Sequence, residues 1–457
     1  MSLTRRRLLS FLAVLPWIAS CKAASSTLTS KIKDLKMQAI SAEELELIKN
    51  PLSRPAWFAR HNLPQGQPLE IRQRVFGDTR MLLRGADIKN VRFINCVFEL
   101  FQGYDNNLLN VTFEECQFFG GVFTGTEWKN TKLLRCEAEG PFKIGCANGD
   151  VTFEECKLQG MTAKEGGYGN WSDHFGIATA SNGANRFIKC KLSNLATHGG
   201  VELKIDTCEI HDFLGNCPSK QGKLLIHNSK SSGNMDFTGA SGMFSLISIK
   251  NSQLGEVDLM SSASKVFEIE DSSLSLKMGA VDAKYEKATF RRVKFHGEGL
   301  YCPLARFFTL EIDACDFGGK GLALYGAPNP RPKLGEYLLY RTLFNHINFR
   351  NMTIPKAKID YMHAGTLTLE NVSLADADLS HGCFGTVQFK NAKLGGKIDL
   401  TETTIRQIDN QGLTNTAQIT GKLEANPNAP LPDLAALDQP PGRPMQTPSK
   451  KKPQGKH

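Results

Sequence analysis

Residues Val111–Phe118 read VTFEECQF, and forty residues later Val151–Leu158 read VTFEECKL. Glu114, Glu115 and Cys116 have the look of chemistry, two carboxylates beside a thiol. The flanking sequence gives them another role. From Ala86 the chain divides into fives without a gap: ADIKN, VRFIN, CVFEL, and so on through VTFEE and CQFFG to CKLQG, which ends at Gly160. Most third positions are large and apolar, among them Ile88, Phe93, Phe98, Phe113, Phe118, Trp128, Leu133, Phe153 and Leu158. Most first positions are small, including Ala86, Cys96, Cys116, Gly121, Thr126, Thr131, Cys136, Cys146 and Cys156. Neither a helical period of about 3.6 residues nor plain alternation produces this pattern.

A five-residue unit with a large inward residue and a small inward residue two places earlier resembles the pentapeptide-repeat family. Its pattern, A(D/N)LXX, is approached at Ala86-Asp87-Ile88 and at Ala377-Asp378-Leu379. The resemblance implies that four fives make one square coil of a right-handed β-helix, with large residues filling the core and small ones near the corners. Ten more fives run in frame from Ile347 to Gly396. Between the blocks the frame survives as one marker per coil: an apolar residue, a small residue three on, then another apolar residue two beyond. FIKCKL from Phe187, IDTCEI from Ile205, IEDSSL from Ile269, FRRVKF from Phe290 and IDACDF from Ile312 carry it. Most marker steps are 18 to 23 residues. We therefore expect an all-β chain: a right-handed parallel β-helix, a pentapeptide-repeat-like quadrilateral solenoid of about 15 coils in which each coil contacts its neighbours.

The N-terminus sets an address. Arg5, Arg6 and Arg7 precede an apolar run from Leu8 to Ala19, too short for a membrane span of about 20 residues but suited to a secretory signal. Ile18-Ala19-Ser20-Cys21 resembles the bacterial lipobox, which implies removal of residues 1–20 and acylation of Cys21, an anchor worth about 0.8 kcal/mol per buried methylene. Lys22 after the cysteine implies the outer membrane in enteric-type bacteria. The arginine run also fits a twin-arginine signal, and the export route stays open. Net charge is +9, part of it in the arginine run and in Lys450, Lys451, Lys452 and Lys456. Export removes the chain from DNA, so a nucleic-acid partner is not expected.

Residues 21–85 are expected to form a tether and N-terminal cap, with Ser41-Ala42-Glu43-Glu44 fitting a capping box. The solenoid is expected over 86–410, and the Pro- and Lys-rich 411–457 as a disordered tail. Two marker steps are too long, 34 residues from Phe153 to Phe187 and 37 from Ile312 to Phe349. They place inserted loops near 160–185 and 320–345, the second long enough for one further degenerate coil. Long excursions from a rigid scaffold are where function concentrates.

Cys96, Cys116, Cys136 and Cys156 are each twenty apart, so one coil stacks each above the last. Cys190, Cys208 and Cys315 share the marker position, which Ser229, Ser252, Ser272, Val293 and Ala392 fill elsewhere. That interchange asks for small volume rather than a thiol. Parallel stacked side chains keep Cβ atoms near the ~4.8 Å coil spacing, beyond the ~3.8 Å a disulfide favours, so buried free thiols are expected. A linear inward stack cannot wrap a tetrahedral ion, and no metal or other cofactor is expected. Cys217 and Cys302 fall off the frame. Glu114-Glu115 and Glu154-Glu155 occupy outward positions and read as solvated wall.

The loop from Lys164 to Gly176 is the leading functional candidate. Tyr168, Trp171 and Phe175 offer ring faces for ligand binding beside Glu165, Asp173 and His174, the candidate catalytic groups. Packing of those rings on the coil beneath is the plainer alternative. Three functions are carried forward: a membrane-anchored envelope lipoprotein whose solenoid binds or scaffolds an envelope protein or polysaccharide, a carbohydrate-active lyase or hydrolase, and a surface-exposed or secreted virulence or appendage factor. Whether the chain is an enzyme stays open, with a non-enzymatic role favoured because pentapeptide-type proteins usually have no catalytic centre.

Overall fold

The computed structural model describes residues 37–77, 83–99, 102–161, 176–198, 200–216, 222–237, 243–259, 262–277, 283–319, 321–326, 342–432, 434 and 437. The chain is an all-β parallel solenoid of about 14 turns. It divides into two compact units, Met1–Asp236 with Ser248–Gly255, and Phe237–Ile247 with Glu256–His457.

The quoted stretch explains how the coil turns. Phe113 and Cys116 are both buried although they lie three apart, a spacing that strand alternation would put on opposite faces. Glu115, between them, has φ 55°, and this left-handed residue rotates the chain so that both neighbours point inward. The same position is left-handed in coil after coil. In the first unit it is Asn95, Glu115, Arg135, Glu155, Lys189, Thr207, Asn228 and Asn251, and in the second Asp271, Arg292, Ala314, Asn351, Asn371 and Asn391, with φ from 50° to 58°. Such a conformation costs a non-glycine residue about 1–2 kcal/mol, and asparagine tolerates it best. Side-chain ladders offset part of that cost: Asn130 Nδ2 donates to Asn110 Oδ1 at 2.9 Å, and Asn110 Nδ2 to Asn90 Oδ1 at 3.0 Å, at a second corner.

In the first unit the markers pair in register: Phe93 with Phe113, Phe113 with Leu133, Leu133 with Phe153, and Phe153 with Phe187. The 34-residue step is thus absorbed outside the ladder. Rings stack face to face at the coil spacing, Phe93 on Phe113 at 5.0 Å and Phe98 on Phe118 at 4.9 Å. Thr126, expected in a small inward slot, is exposed instead. The register shifts there, and Gly125 lies so close to the neighbouring coil that a Cβ would meet Asn106 O at 1.8 Å and Trp128 Nε1 at 2.1 Å. That approach leaves room for the buried Trp128 indole to donate to Asn106 O.

The described cysteines are buried and free, Cys302 among them; Cys21 and Cys217 lie outside the described residues. The marker slot does more than limit volume. Cys116, Cys136 and Cys156 donate their thiols to the marker carbonyls of the coil before, Phe93 O, Phe113 O and Leu133 O, at 3.2 to 3.4 Å. Each thiol also lies 3.4 Å from the carbonyl two residues back in its own coil. Ser229 Oγ and Ser252 Oγ in the same slot bond to that carbonyl, His227 O and Lys250 O, at 2.7 and 2.8 Å, with Ile226 O of the coil before 3.4 Å from Ser252 Oγ. Burial pushes the Cys136 thiol up, which keeps it protonated and donating.

The cap begins with Ser41, which accepts from the Glu44 amide while Glu44 accepts from the Ser41 amide at 2.9 Å, the reciprocal pair that opens helix α1, Ala42–Lys49. Helix α2, Arg54–Arg60, follows. Arg54 is 6% exposed and donates to Leu47 O at 2.8 Å, to Ile48 O at 3.1 Å and to Lys89 O of the coil beneath. Burial lowers its guanidinium to about 10. The ladder starts earlier than Ala86: Leu69–Arg72 pairs with Val91–Ile94. Arg74 takes the place of the small residue in that first coil and turns outward to Glu44 at 2.9 Å.

In the second unit Ile312 pairs directly with Phe349, so the 37-residue step contains no additional coil between them. The ladder also runs past 410, because Gln418–Gly421 pairs with Lys397–Leu400. Beyond it the chain returns over the last coil, with the Asn426 amide on Ile405 O at 2.8 Å and Ala429 buried. One outward stack alternates in charge from coil to coil: Glu270, Arg291, Asp313, Arg350, Glu370 and Lys390 are successive register partners. Arg350 Nε lies 3.3 Å from Glu370.

Candidate functional site

Glu114 and Glu115 are structural carboxylates. Glu114, with 19% of its side chain exposed, receives Arg92 at 2.7 Å and Arg135 at 2.5 Å, while Glu115 holds the other edge of Arg135 at 3.1 Å. The Arg92 hydrogen bond holds the Glu114 carboxyl below its ordinary value. Glu155 pairs with Lys189 at 3.3 Å. Glu114 is therefore bound in a ladder rather than simply solvated. The candidates Glu165, Tyr168, Trp171, Asp173, His174 and Phe175 lie outside the described residues, as does Cys21.

An arrangement that does not fit the repeat stands at one corner of the second unit. Three coils meet there with related sequences, Lys358-Ile359-Asp360-Tyr361, Asp378-Leu379-Ser380-His381 and Asp399-Leu400-Thr401-Glu402. Lys358 pairs with Asp378, and Asp378 with Asp399, which fixes the alignment. The apolar residue of each set is buried. In the last two coils the acid closes a local turn: Asp378 Oδ1 accepts from the Ser380 amide at 3.1 Å and its hydroxyl at 2.6 Å. Asp399 Oδ1 does the same for Thr401 at 2.9 and 2.7 Å, and those bonds hold its carboxyl low.

The first of the three coils inverts this arrangement. Lysine occupies the acid's place and Asp360 occupies that of the serine. Asp360 is 9% exposed, and its Oδ1 is shielded with no hydrogen-bond partner. Among the described residues it is the one carboxylate in that condition. Burial, and then the neighbouring Asp378 charge, push its carboxyl above the ordinary value. An unpaired buried polar atom costs about 1–3 kcal/mol, so its retention asks for a reason other than folding.

Aromatic residues stand at the same corner. Lys358 Nζ lies 4.5 Å from the centroid of Tyr325, whose hydroxyl is 2.9 Å from that of Tyr301. Tyr361, left-handed at φ 52°, stacks on His381 at 4.4 Å, and His381 Nδ1 lies 2.9 Å from Glu402. The Gly326 amide donates to Asp360 O at 2.9 Å, which sets Gly326 beside Tyr361 in the preceding coil. Most large rings of the solenoid point inward, whereas Tyr301, Tyr325 and Tyr361 are only half-buried here. Comparing AKIDY at Ala357 with ADLSH at Ala377 would have exposed the inversion, because both fives are in frame.

A shallow hollow of about 540 Å³ lies elsewhere on this unit, lined by Asp316, Asn351, Met352, Thr353, Asn371 and Ser373 among others. Its polar groups are tied to neighbours: Asn351 Nδ2 to Asp313, Asn371 Nδ2 to Asn351, and Asp316 Oδ1 to the Gly318 amide, at 2.8 to 2.9 Å. Among the described residues no group of three or more His, Cys, Asp or Glu is placed to hold a metal ion. No family model matches the chain, and no curated protein or solved structure matches it.

Proposed function

We propose that this chain is a lipoprotein of a bacterial cell envelope, anchored by acylated Cys21, whose pentapeptide-repeat-like solenoid presents a binding or scaffolding surface. The anchor reading is supported by the order of Arg5–Arg7, the apolar run Leu8–Ala19 and Ile18-Ala19-Ser20-Cys21. Lys22 favours the outer membrane. The surface reading is carried by one observation: the walls commit many of their charged groups to coil-to-coil ladders, such as Glu114 between Arg92 and Arg135. Groups held that way give a rigid, patterned face, not mobile acids and bases. The partner is an envelope protein or polysaccharide.

Expression of the full chain and its Cys21→Ser variant in a bacterial host, with labelled fatty acid, tests the anchor. The parent chain is expected in the membrane fraction carrying label, and the variant is expected unlabelled. A variant that stays acylated and membrane-bound overturns the proposal.

A further inference from the structure

We propose that the corner formed by Tyr325, Asp360 and Tyr361 is a binding site for a cationic group, an ammonium or guanidinium carried by a peptide partner. The inference rests on the reading of the solenoid as a binding surface and names the class of partner.

Three observations carry it. Asp360 Oδ1 has no hydrogen-bond partner although the residue is 9% exposed, while the same place in the next two coils holds Ser380 and Thr401, whose hydroxyls are bonded at 2.6 and 2.7 Å. A buried carboxylate needs an opposite charge or donors. A second observation is the protein's own ammonium: Lys358 Nζ stands 4.5 Å over the ring of Tyr325, so a cation on an aromatic face is already a stable arrangement at this corner. The third concerns Tyr361. One face of its ring is covered by His381 at 4.4 Å, and among the described residues its register neighbour in the preceding coil is Gly326, which has no side chain.

Charge favours a cation over a neutral ligand. Asp360 and Asp378 share this corner with Lys358 and with His381, whose Nδ1 is 2.9 Å from Glu402, on a chain whose net charge is +9. A neutral sugar would use the Tyr361 face but leave the Asp360 carboxylate unbalanced. A cation cancels that charge and meets the negative face of the ring together. No bond is made or broken.

The test is calorimetric titration of the full chain in detergent with tri-lysine, with tri-lysine acetylated on its three side chains, and with maltotriose. Tri-lysine is expected to bind, and acetylation to weaken it at least about tenfold, which is about 1.4 kcal/mol. Asp360→Asn, which keeps shape and removes charge, is expected to weaken tri-lysine by about tenfold, and Tyr361→Leu by about threefold to tenfold. Asp399→Asn, an equal loss of charge two coils away, is expected to change affinity by less than about threefold. Equal losses in the two acid variants, equal binding of the acetylated peptide, or maltotriose binding that survives Asp360→Asn would each overturn the proposal. Thermal denaturation of each variant confirms that the coil is intact. The fate of Cys21→Ser is independent of all these outcomes, so failure here and failure of the anchor are separable.

Discussion

Glu114 in the first unit and Asp360 in the second are both carboxylates of a solenoid coil, and their surroundings are opposite. Glu114 lies between two guanidiniums at 2.7 and 2.5 Å, which hold its carboxyl low. Asp360 Oδ1 has no hydrogen-bond partner, and its carboxyl is raised by burial and by Asp378. In a repeat, an acid that recurs with its partners belongs to the fold. The acid that breaks the pattern of the coils beside it is the one that needs a second explanation.

Glu114→Ala leaves Arg92 and Arg135 without their shared acceptor and is expected to cost about 1–2 kcal/mol of unfolding free energy in urea denaturation. The loss should shrink at high salt. An unchanged midpoint would mean that the ladder is ornament and the contrast empty. Asn110→Ala comes next, at about 1 kcal/mol, because alanine is poorly suited to φ 54° and ends the amide ladder. Asn110→Gly should recover most of that loss, and failure to do so would place the cost in the ladder rather than in the backbone.

Asp360→Asn should act with the opposite sign and by less than about 1 kcal/mol at neutral pH. Because the folded-state carboxyl is raised, the native chain holds the proton longer than the unfolded chain. Stability therefore falls as pH rises from the ordinary carboxylate value of about 3.9 through the folded-state value. The variant lacks that fall, so the two melting temperatures should converge at low pH and separate above it, with the variant higher. Separation in the other direction would show that Asp360 stabilises the corner. The smallest effect is expected for Cys136→Ser, within about 0.5 kcal/mol, since Ser229, Ser252 and Ser272 already serve in this slot. A loss above about 2 kcal/mol would mean that the slot needs sulfur volume.

The inward half of this molecule was legible in its sequence, because burial selects on volume and volume shows in single residues. Phe93, Phe113, Leu133 and Phe153 announce the core, and Cys96, Cys116, Cys136 and Cys156 the narrow slot beside it. The ends were less legible. Arg74 holds a small residue's place and turns outward to Glu44, so the first coil lacked its marker. Ile419 continues the ladder where the pentapeptide frame has faded. Outward chemistry was hardest to read, because it depends on what lies one coil away. That distance is 21 residues from Asp378 to Asp399 and 35 from Ala323 to Lys358. Arg54 was hidden for another reason: its partners are backbone carbonyls, which carry no signature in the sequence.

The alternating stack Glu270, Arg291, Asp313, Arg350, Glu370 has a consequence for how the second unit finds its pairing. Apolar markers cannot tell one coil from the next, since Phe290, Ile312 and Phe349 would pack about equally well in any order. Charge of alternating sign supplies a parity. If the Arg291 coil were looped out, Glu270 would face Asp313, and if the Asp313 coil were looped out, Arg291 would face Arg350; like charges set opposite one another across strands repel. Skipping an odd number of coils is thus penalised at the junction it creates, and the polar face proofreads a count that the core cannot keep.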